Sequence, residues 1–193
     1  MAGTLIGRDP ATGRTGVLPG SDEFLPALGR DFRLLVTTGD STAGARTTLQ
    51  DFGLLRHFAA VYGDLYEPVG KPYGAILRRE GADPRRSLAV GDRLRADLPA
   101  DTDEVVTVLV NQDDQRATAG LVAALVWRLQ GRAAEFPAAF DALLAEAEPT
   151  PAAEGEWQGG AVLKAGWAHG DAPASLRVFR HPALAGARRV IVL

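Results

Sequence analysis

Apolar residues recur along this chain in short runs, broken by stretches rich in glycine, proline and polar residues. The runs at residues 32–38 and 87–90 read as strands, and that at 105–110 (VVTVLV) is β-branched and continuous, which predicts a buried parallel strand. Helical spacing lies between them. Ser21 reads as the N-cap of a helix through Leu28, with Asp22 and Glu23 favourable in its first turn and Pro26 in its early part. Asp40, Ser41 and Thr42 offer caps for a second helix reaching Asp51, and residues 61–66 predict a short strand or turn. Residues 7–20 (GRDPATGRTGVLPG) read as loop. Strands alternating with helices predict a parallel α/β sheet.

The second half changes character. Leu121, Leu125 and Leu129 stand at i, i+4 and i+8 with Val122 and Val126 beside them, predicting a helix over 117–130 with a strong apolar face. Residues 135–148 repeat the pattern with Phe136, Phe140, Leu143 and Leu144. Residues 149–160 (PTPAAEGEWQGG) read as a linker by composition. Three strand candidates follow at 161–167, 176–180 and 188–193. The expected organisation is an α/β domain over 1–148, a linker over 149–160, and a small β-rich appendage over 161–193.

Composition adds mainly exclusions. With 193 residues, 46% of them hydrophobic, the chain can bury one core. A net charge of −3 gives no basic footprint for nucleic acid. The absence of cysteine excludes disulfides, thiolate metal sites and a cysteine nucleophile. No charged segment followed by an apolar one marks a signal peptide. The most apolar run, 119–127, is far short of the ~20 residues that span a bilayer. A cytoplasmic protein without membrane contact is the expectation.

Candidate chemistry concentrates in residues 71–97, KPYGAILRREGADPRRSLAVGDRLRAD. Its strand ends in Gly91-Asp92, which delivers a carboxylate to the carboxyl edge of the sheet, where open α/β folds place their ligands. Asp97 follows across one turn, so both carboxylates can share a divalent cation. Such oxygen ligands suit Mg²⁺. Lys71 adds a fixed positive charge. Singly, Lys71, Asp92 and Asp97 read equally well as salt-bridge partners.

Together they resemble a family. Lys71-Pro72 followed by Gly91-Asp92 and Asp97 is similar to the third and fourth motifs of the haloacid dehalogenase (HAD) superfamily of hydrolases. The strand Leu34-Leu35-Val36-Thr37-Thr38-Gly39 resembles its second motif, with Thr38 the better match and Thr37 the alternative. Phe52-Gly53-Leu54-Leu55-Arg56-His57-Phe58 looks like the family's approach to the lysine. Met1-Ala2-Gly3-Thr4-Leu5 resembles the tail of the first motif. Aligned so, Ala2 stands where the family has its second Asp, the general acid, and the first Asp, its nucleophile, would precede Met1. Two readings stay open: a start placed inside a longer sequence, or a non-catalytic module. The spacing between motifs leaves no room for an inserted cap domain.

The resemblance implies a Rossmannoid parallel sheet with flanking helices, and a small C-terminal α/β appendage. It implies a Mg²⁺-dependent phosphohydrolase acting through an aspartyl-phosphate. In that scheme Asp92, Asp97 and the Ala2 carbonyl hold Mg²⁺, while Gly3, Thr4, Thr38, Gly39 and Lys71 hold phosphate. Thr38, Lys71 and Asp97 are the catalytic candidates still present. Ala2 equally allows dehalogenase- or phosphonatase-like chemistry. The partner expected is a small phosphorylated substrate or a phosphoprotein, and a homodimer is allowed.

Elsewhere the signals are weaker. His57, His169 and His181 lack metal-ligand spacing, and Asp113-Asp114 reads as solvated loop. Arg78, Arg79, Arg85 and Arg86 read as the exposed side of a helix and turn. Trp157 and Trp167 read as appendage core or as an aromatic partner surface. Joining residues 188–193 to Met1 would give one continuous strand. A circularly permuted sheet would then place Val190 between the strands of Leu34 and Leu88.

Overall fold

The computed structural model describes residues 4–8, 12–17, 21–65, 70–91, 96–109, 126, 131, 134–145, 148–150, 158–165, 174–180 and 190–192. The described chain opens with an antiparallel hairpin, β1 (Ile6–Arg8) and β2 (Thr15–Val17), in which Ile6 faces Val17. This corrects the expectation of loop over 7–20. Glycines that mark loops also serve tight hairpins; Gly13 takes φ +65° and its carbonyl accepts from Arg8 Nε at 2.8 Å.

Helix α1 (Ser21–Leu28) follows, with Pro26 inside it. Ser21 is its first helical residue rather than its cap, and the buried Ser21 hydroxyl has no hydrogen-bond partner among the described residues. Next comes a parallel unit: β3 (Leu35–Thr37), α2 (Thr42–Asp51), a 3-10 turn at Leu55–His57, and β4 (Ala60–Tyr62). Val36 pairs with Val61. Of the three cap candidates Ser41 does the work, its hydroxyl accepting from the Gly44 N–H at 3.1 Å. Ala45 and Leu49 of α2 pack with Ile6, Leu25, Val36, Leu54 and Val61 into one buried cluster.

The segment carrying the candidate chemistry forms α3 (Tyr73–Arg79), a 3-10 turn at Pro84–Arg86, and β5 (Leu88–Gly91). β5 pairs in parallel with β6 (Val106–Leu109), Leu88 against Val106. Arg78, Arg79, Arg85 and Arg86 are exposed as expected. Helix α4 (Phe136–Ala145) lies within the predicted 135–148 and buries Phe136 and Phe140. The predicted helix over 117–130 falls outside the described residues except Val126, which is helical and buried.

The tail contributes β7 (Glu148–Thr150), β8 (Gln158–Ala165), β9 (Ala174–Arg180) and β10 (Val190–Val192). They extend the sheet of β5 and β6 in the order β5-β6-β10-β9-β8-β7. Both ends of the segment expected as linker are therefore strand. The permuted arrangement is overturned too. Val190 pairs with Thr107 on one side and Phe179 on the other, so β10 lies between β6 and β9, not between β3 and β5. Among the described residues no helix is long and apolar enough to cross a membrane.

β3 and β5 each end their own sheet. A cavity of about 730 Å³ lies between them, lined by residues 34–37 and 88–90. As a dry void of that size it would cost on the order of 17 kcal/mol at ~24 cal/mol per Å³. That exceeds the ~5–15 kcal/mol by which domains are stable. Asp31, Arg33, Glu80, Asp83 and Arg86 form a charged rim to it, which suits an opening to water.

Candidate active site

The carboxyl ends of β3 and β5 meet at Lys71. Its Nζ donates to Asp97 Oδ1 at 2.5 Å and to the Thr37 carbonyl at 3.3 Å. Thr37 closes β3, and Asp97 follows β5 by a few residues. Lys71 and Asp97 are 6% and 5% exposed, so the pair is held away from water. An ammonium carries three donors. The described contacts use two of them.

Backbone contacts fix the lysine in place. Lys71 N–H donates to the Leu98 carbonyl and the Lys71 carbonyl accepts from Ala100 N–H, each at 2.8 Å. This close approach needs Gly70. At φ +112°, a Cβ there would lie 2.4 Å from the Leu98 carbonyl oxygen. Asp101 then anchors α3 from outside the helix, accepting from Gly74 N–H and Ala75 N–H at 2.7 Å each. A carboxylate at this end of a helix is favoured by charge as well as by the hydrogen bonds.

Thr38 stands beside this pair, 5% exposed, with its N–H on the Tyr62 carbonyl at 2.9 Å. Its hydroxyl donates to Asp40 Oδ2 and accepts from Asp40 N–H, both at 3.2 Å. The following loop is tied to the one after β4. Asp64, at φ +60°, accepts from Thr42 N–H at 3.2 Å and donates its own N–H to the Asp40 carbonyl at 2.7 Å. Gly39 is exposed in the bend after Thr38.

Tyr73 completes the arrangement from α3. Its hydroxyl is held well above the usual phenol range, first by burial and then by the Asp97 charge, with a hydrogen bond to the Thr37 side chain acting the other way. The two threonines thus divide their roles. Thr37 faces Lys71 and Tyr73, whereas Thr38 turns its hydroxyl to Asp40.

Of the sequence candidates, Lys71 and Asp97 are paired past the carboxyl ends of β3 and β5, and Thr38 follows Thr37, whose carbonyl Lys71 contacts. Thr4 lines the cavity between β3 and β5, and its buried hydroxyl has no hydrogen-bond partner among the described residues. Ala2, Gly3 and Asp92 lie outside the described residues, as do Asp113, Asp114, His169 and His181. His57 accepts a hydrogen bond from Arg56 at 3.2 Å, a local contact. Sequence reasoning missed Asp40, Tyr73 and Asp101. The Thr-x-Asp spacing could have revealed Asp40; nothing local points to the other two.

A profile of haloacid dehalogenase-like hydrolases matches residues 4–100, half of the 193-residue chain. The matched segment runs from Thr4 through Thr38 and Lys71 to Asp97. The chain belongs to the haloacid dehalogenase-like hydrolases. Its mixed α/β architecture, with parallel strands joined through helices, is the Rossmannoid fold of that family. No curated protein matches the chain. Among solved structures it is similar to an uncharacterized protein from Listeria monocytogenes serotype 4b, at 16% identity and a TM-score of 0.47. That match covers 57% of this chain and 74% of the other. It is also similar to a predicted phosphoglycolate phosphatase from Haemophilus somnus 129PT, at 20% identity and a TM-score of 0.40. There the coverage is 56% of this chain and 52% of the other.

Between Thr4 and Thr38 the described residues form the β1–β2 hairpin, α1 and β3. Among the described residues no cluster of three or more His, Cys, Asp or Glu gathers around a cation position. The donors near the site are carboxylate oxygens, and Asp97 packs on Gly91, next in sequence to Asp92. A Cβ on Gly91 would lie 2.5 Å from Asp97 Oδ2. Carboxylate oxygen is the donor type that suits Mg²⁺.

Proposed function

We propose that the chain is built for Mg²⁺-dependent phosphate-ester hydrolysis through an aspartyl-phosphate, with the nucleophilic carboxylate supplied from ahead of Met1. The observation that supports this most is the buried Lys71 beside Thr37 and Thr38 at the carboxyl ends of β3 and β5. A lysine at this position can bind a phosphate oxygen and stabilise charge there as the transition state forms. Gly3, Thr4 and Gly39 supply further donors in this reading, with the Thr38 hydroxyl turning from Asp40 to substrate. Asp97 sets the position of Lys71. Mg²⁺, held by Asp92, Asp97 and the Ala2 carbonyl, would neutralise phosphate charge when bound. With Ala2 in place of a carboxylic acid, leaving groups that need protonation react poorly, a factor of ~10²–10⁴. The substrate class is a small phosphorylated molecule or a phosphoprotein, met in the cytoplasm, with homodimerisation part of the reading.

The second reading is a non-catalytic binding module, favoured by the neutralisation of Lys71 by Asp97. One experiment separates them. Phosphate release is measured over a panel of phosphate esters with Mg²⁺, for the chain as it stands and for a version carrying an apolar segment and Asp ahead of Met1. The expected result is no release from the first and Mg²⁺-dependent release from the second, abolished by Asp92→Ala and by Lys71→Met. No release from the extended chain, or release indifferent to both substitutions, overturns the proposal. Release of halide or cleavage of a phosphonate instead would point to the chemistry that Ala2 also allows.

A further inference from the structure

We propose that Tyr73 is a positioning residue of the candidate site. Its buried phenol holds the Thr37 hydroxyl so that the Thr37 proton is presented to an anion beside Lys71. The inference rests on the hydrolase reading above and adds a residue to it.

The chain reaches Thr37 twice within three residues. Lys71 Nζ donates to the Thr37 carbonyl at 3.3 Å, and the Tyr73 hydroxyl is hydrogen-bonded to the Thr37 side chain. Pro72 stands between the two and fixes its own φ, so both side chains leave a stiff stretch of backbone. That stretch is also pinned. Tyr73 N–H donates to the Lys71 carbonyl at 2.9 Å, and Asp101 accepts from the Gly74 and Ala75 N–H groups at 2.7 Å each. Tyr73 is 6% exposed and packs with Leu77, Ala89 and Val105, so the core sets the place of its hydroxyl.

Packing alone does not call for a tyrosine here. Phenylalanine would fill the same space with no polar group to desolvate, and a buried hydroxyl costs stability unless it finds a partner. The partner it has is a side chain of the site. A phenol is protonated at neutral pH and can donate, while a threonine hydroxyl carries one proton and two acceptor positions. With Tyr73 donating, Thr37 accepts at one position and its own proton is left for another acceptor. Side chains alternate along a strand, so Thr38 points to the opposite face, where its hydroxyl bonds Asp40 twice. Thr37, half-buried, is the threonine on the side of Tyr73 and Lys71.

The test is a calorimetric titration with inorganic phosphate in the presence of Mg²⁺. It compares the unsubstituted chain with Lys71→Met, Tyr73→Phe, Thr37→Val, Thr37→Ser, and Tyr73→Phe combined with each Thr37 variant. Thr37→Val should weaken binding by roughly tenfold or more, and Thr37→Ser, which keeps the hydroxyl, should bind nearly as the unsubstituted chain does. Tyr73→Phe should weaken binding about fivefold in the unsubstituted chain and in Thr37→Ser, and not at all in Thr37→Val. A merely structural tyrosine would weaken all three backgrounds alike. Unchanged binding in Tyr73→Phe, or an equal loss in the Thr37→Val background, overturns this proposal and leaves the hydrolase reading standing. Absence of phosphate binding, or binding indifferent to Lys71→Met, overturns both.

Discussion

Lys71 and Asp97 form a buried ion pair, Nζ to Oδ1 at 2.5 Å, with side chains 8% and 6% exposed. Removing one partner of such a pair leaves an uncompensated charge in low dielectric, which costs about 3–5 kcal/mol. Lys71→Met and Asp97→Leu should each lower stability by that order in urea unfolding. The double substitution should recover much of the loss, because an apolar pair of similar volume is tolerated where a lone charge is not. Additive losses in the double-mutant cycle would show that the two side chains do not interact.

Tyr73 predicts an alkaline limit to stability. Its folded pKa is raised from the ordinary value of 10.0 by burial and by Asp97. The unfolded chain therefore gives up that proton first. The stabilising contribution is complete below pH 10.0 and falls away as pH rises above it toward the folded value. Tyr62, raised chiefly by its hydrogen bond to Glu80, acts in the same direction. Tyr73→Phe should flatten part of the decline in urea midpoint above pH 10 and change the unfolding free energy near neutrality by no more than ~1 kcal/mol. An unchanged alkaline slope would mean that Tyr73 is not the titrating group.

How much of this was legible in the sequence depends on range. Lys71, Asp97 and Thr38 carry the chemistry of short motifs; the run at 87–90 placed β5 within a residue, and the run at 32–38 contains β3 but starts three residues early. Ser41 was one of three adjacent cap candidates, and only the backbone geometry chose it. The hairpin at β1 and β2 was missed because glycine and threonine serve loops and tight turns alike. The pairing of β10 with β6 was not readable, since a run such as Val190-Ile191-Val192 states that a strand is buried and not which neighbours bury it. Tyr73 and Asp101 escaped for the same reason: their roles come from residues at the other end of a folded loop.

Asp101 illustrates such a long-range role. Its carboxylate holds the Gly74 and Ala75 amides at the start of α3, directly after Lys71. Asp101→Ala leaves two amides without that acceptor and should cost ~1 kcal/mol, in the range of lost helix caps. Hydrogen exchange at Gly74 and Ala75 should quicken by roughly fivefold or more, while that of Leu49 in α2 stays unchanged. Equal quickening at all three sites would mean a global loss of stability and no anchoring by Asp101.

Gly91 tests the site through space alone. A Cβ there would lie 2.4 Å from Asp97 Cβ and 2.5 Å from its Oδ2, too close for any side chain to remain. Gly91→Ala must push Asp97 aside, and with it the partner of Lys71, so a loss of about 1–3 kcal/mol is expected from overpacking. Gly16 in β2 is the control, because nothing lies within 4 Å of its built Cβ. Gly16→Ala should be neutral or slightly stabilising, since alanine loses less backbone freedom on folding. Coupling decides the mechanism. If the harm at Gly91 comes from displacing Asp97, then Gly91→Ala and Asp97→Leu together should cost much less than the sum of the two. Strict additivity would mean that the strain falls on the β5 backbone and leaves the ion pair intact.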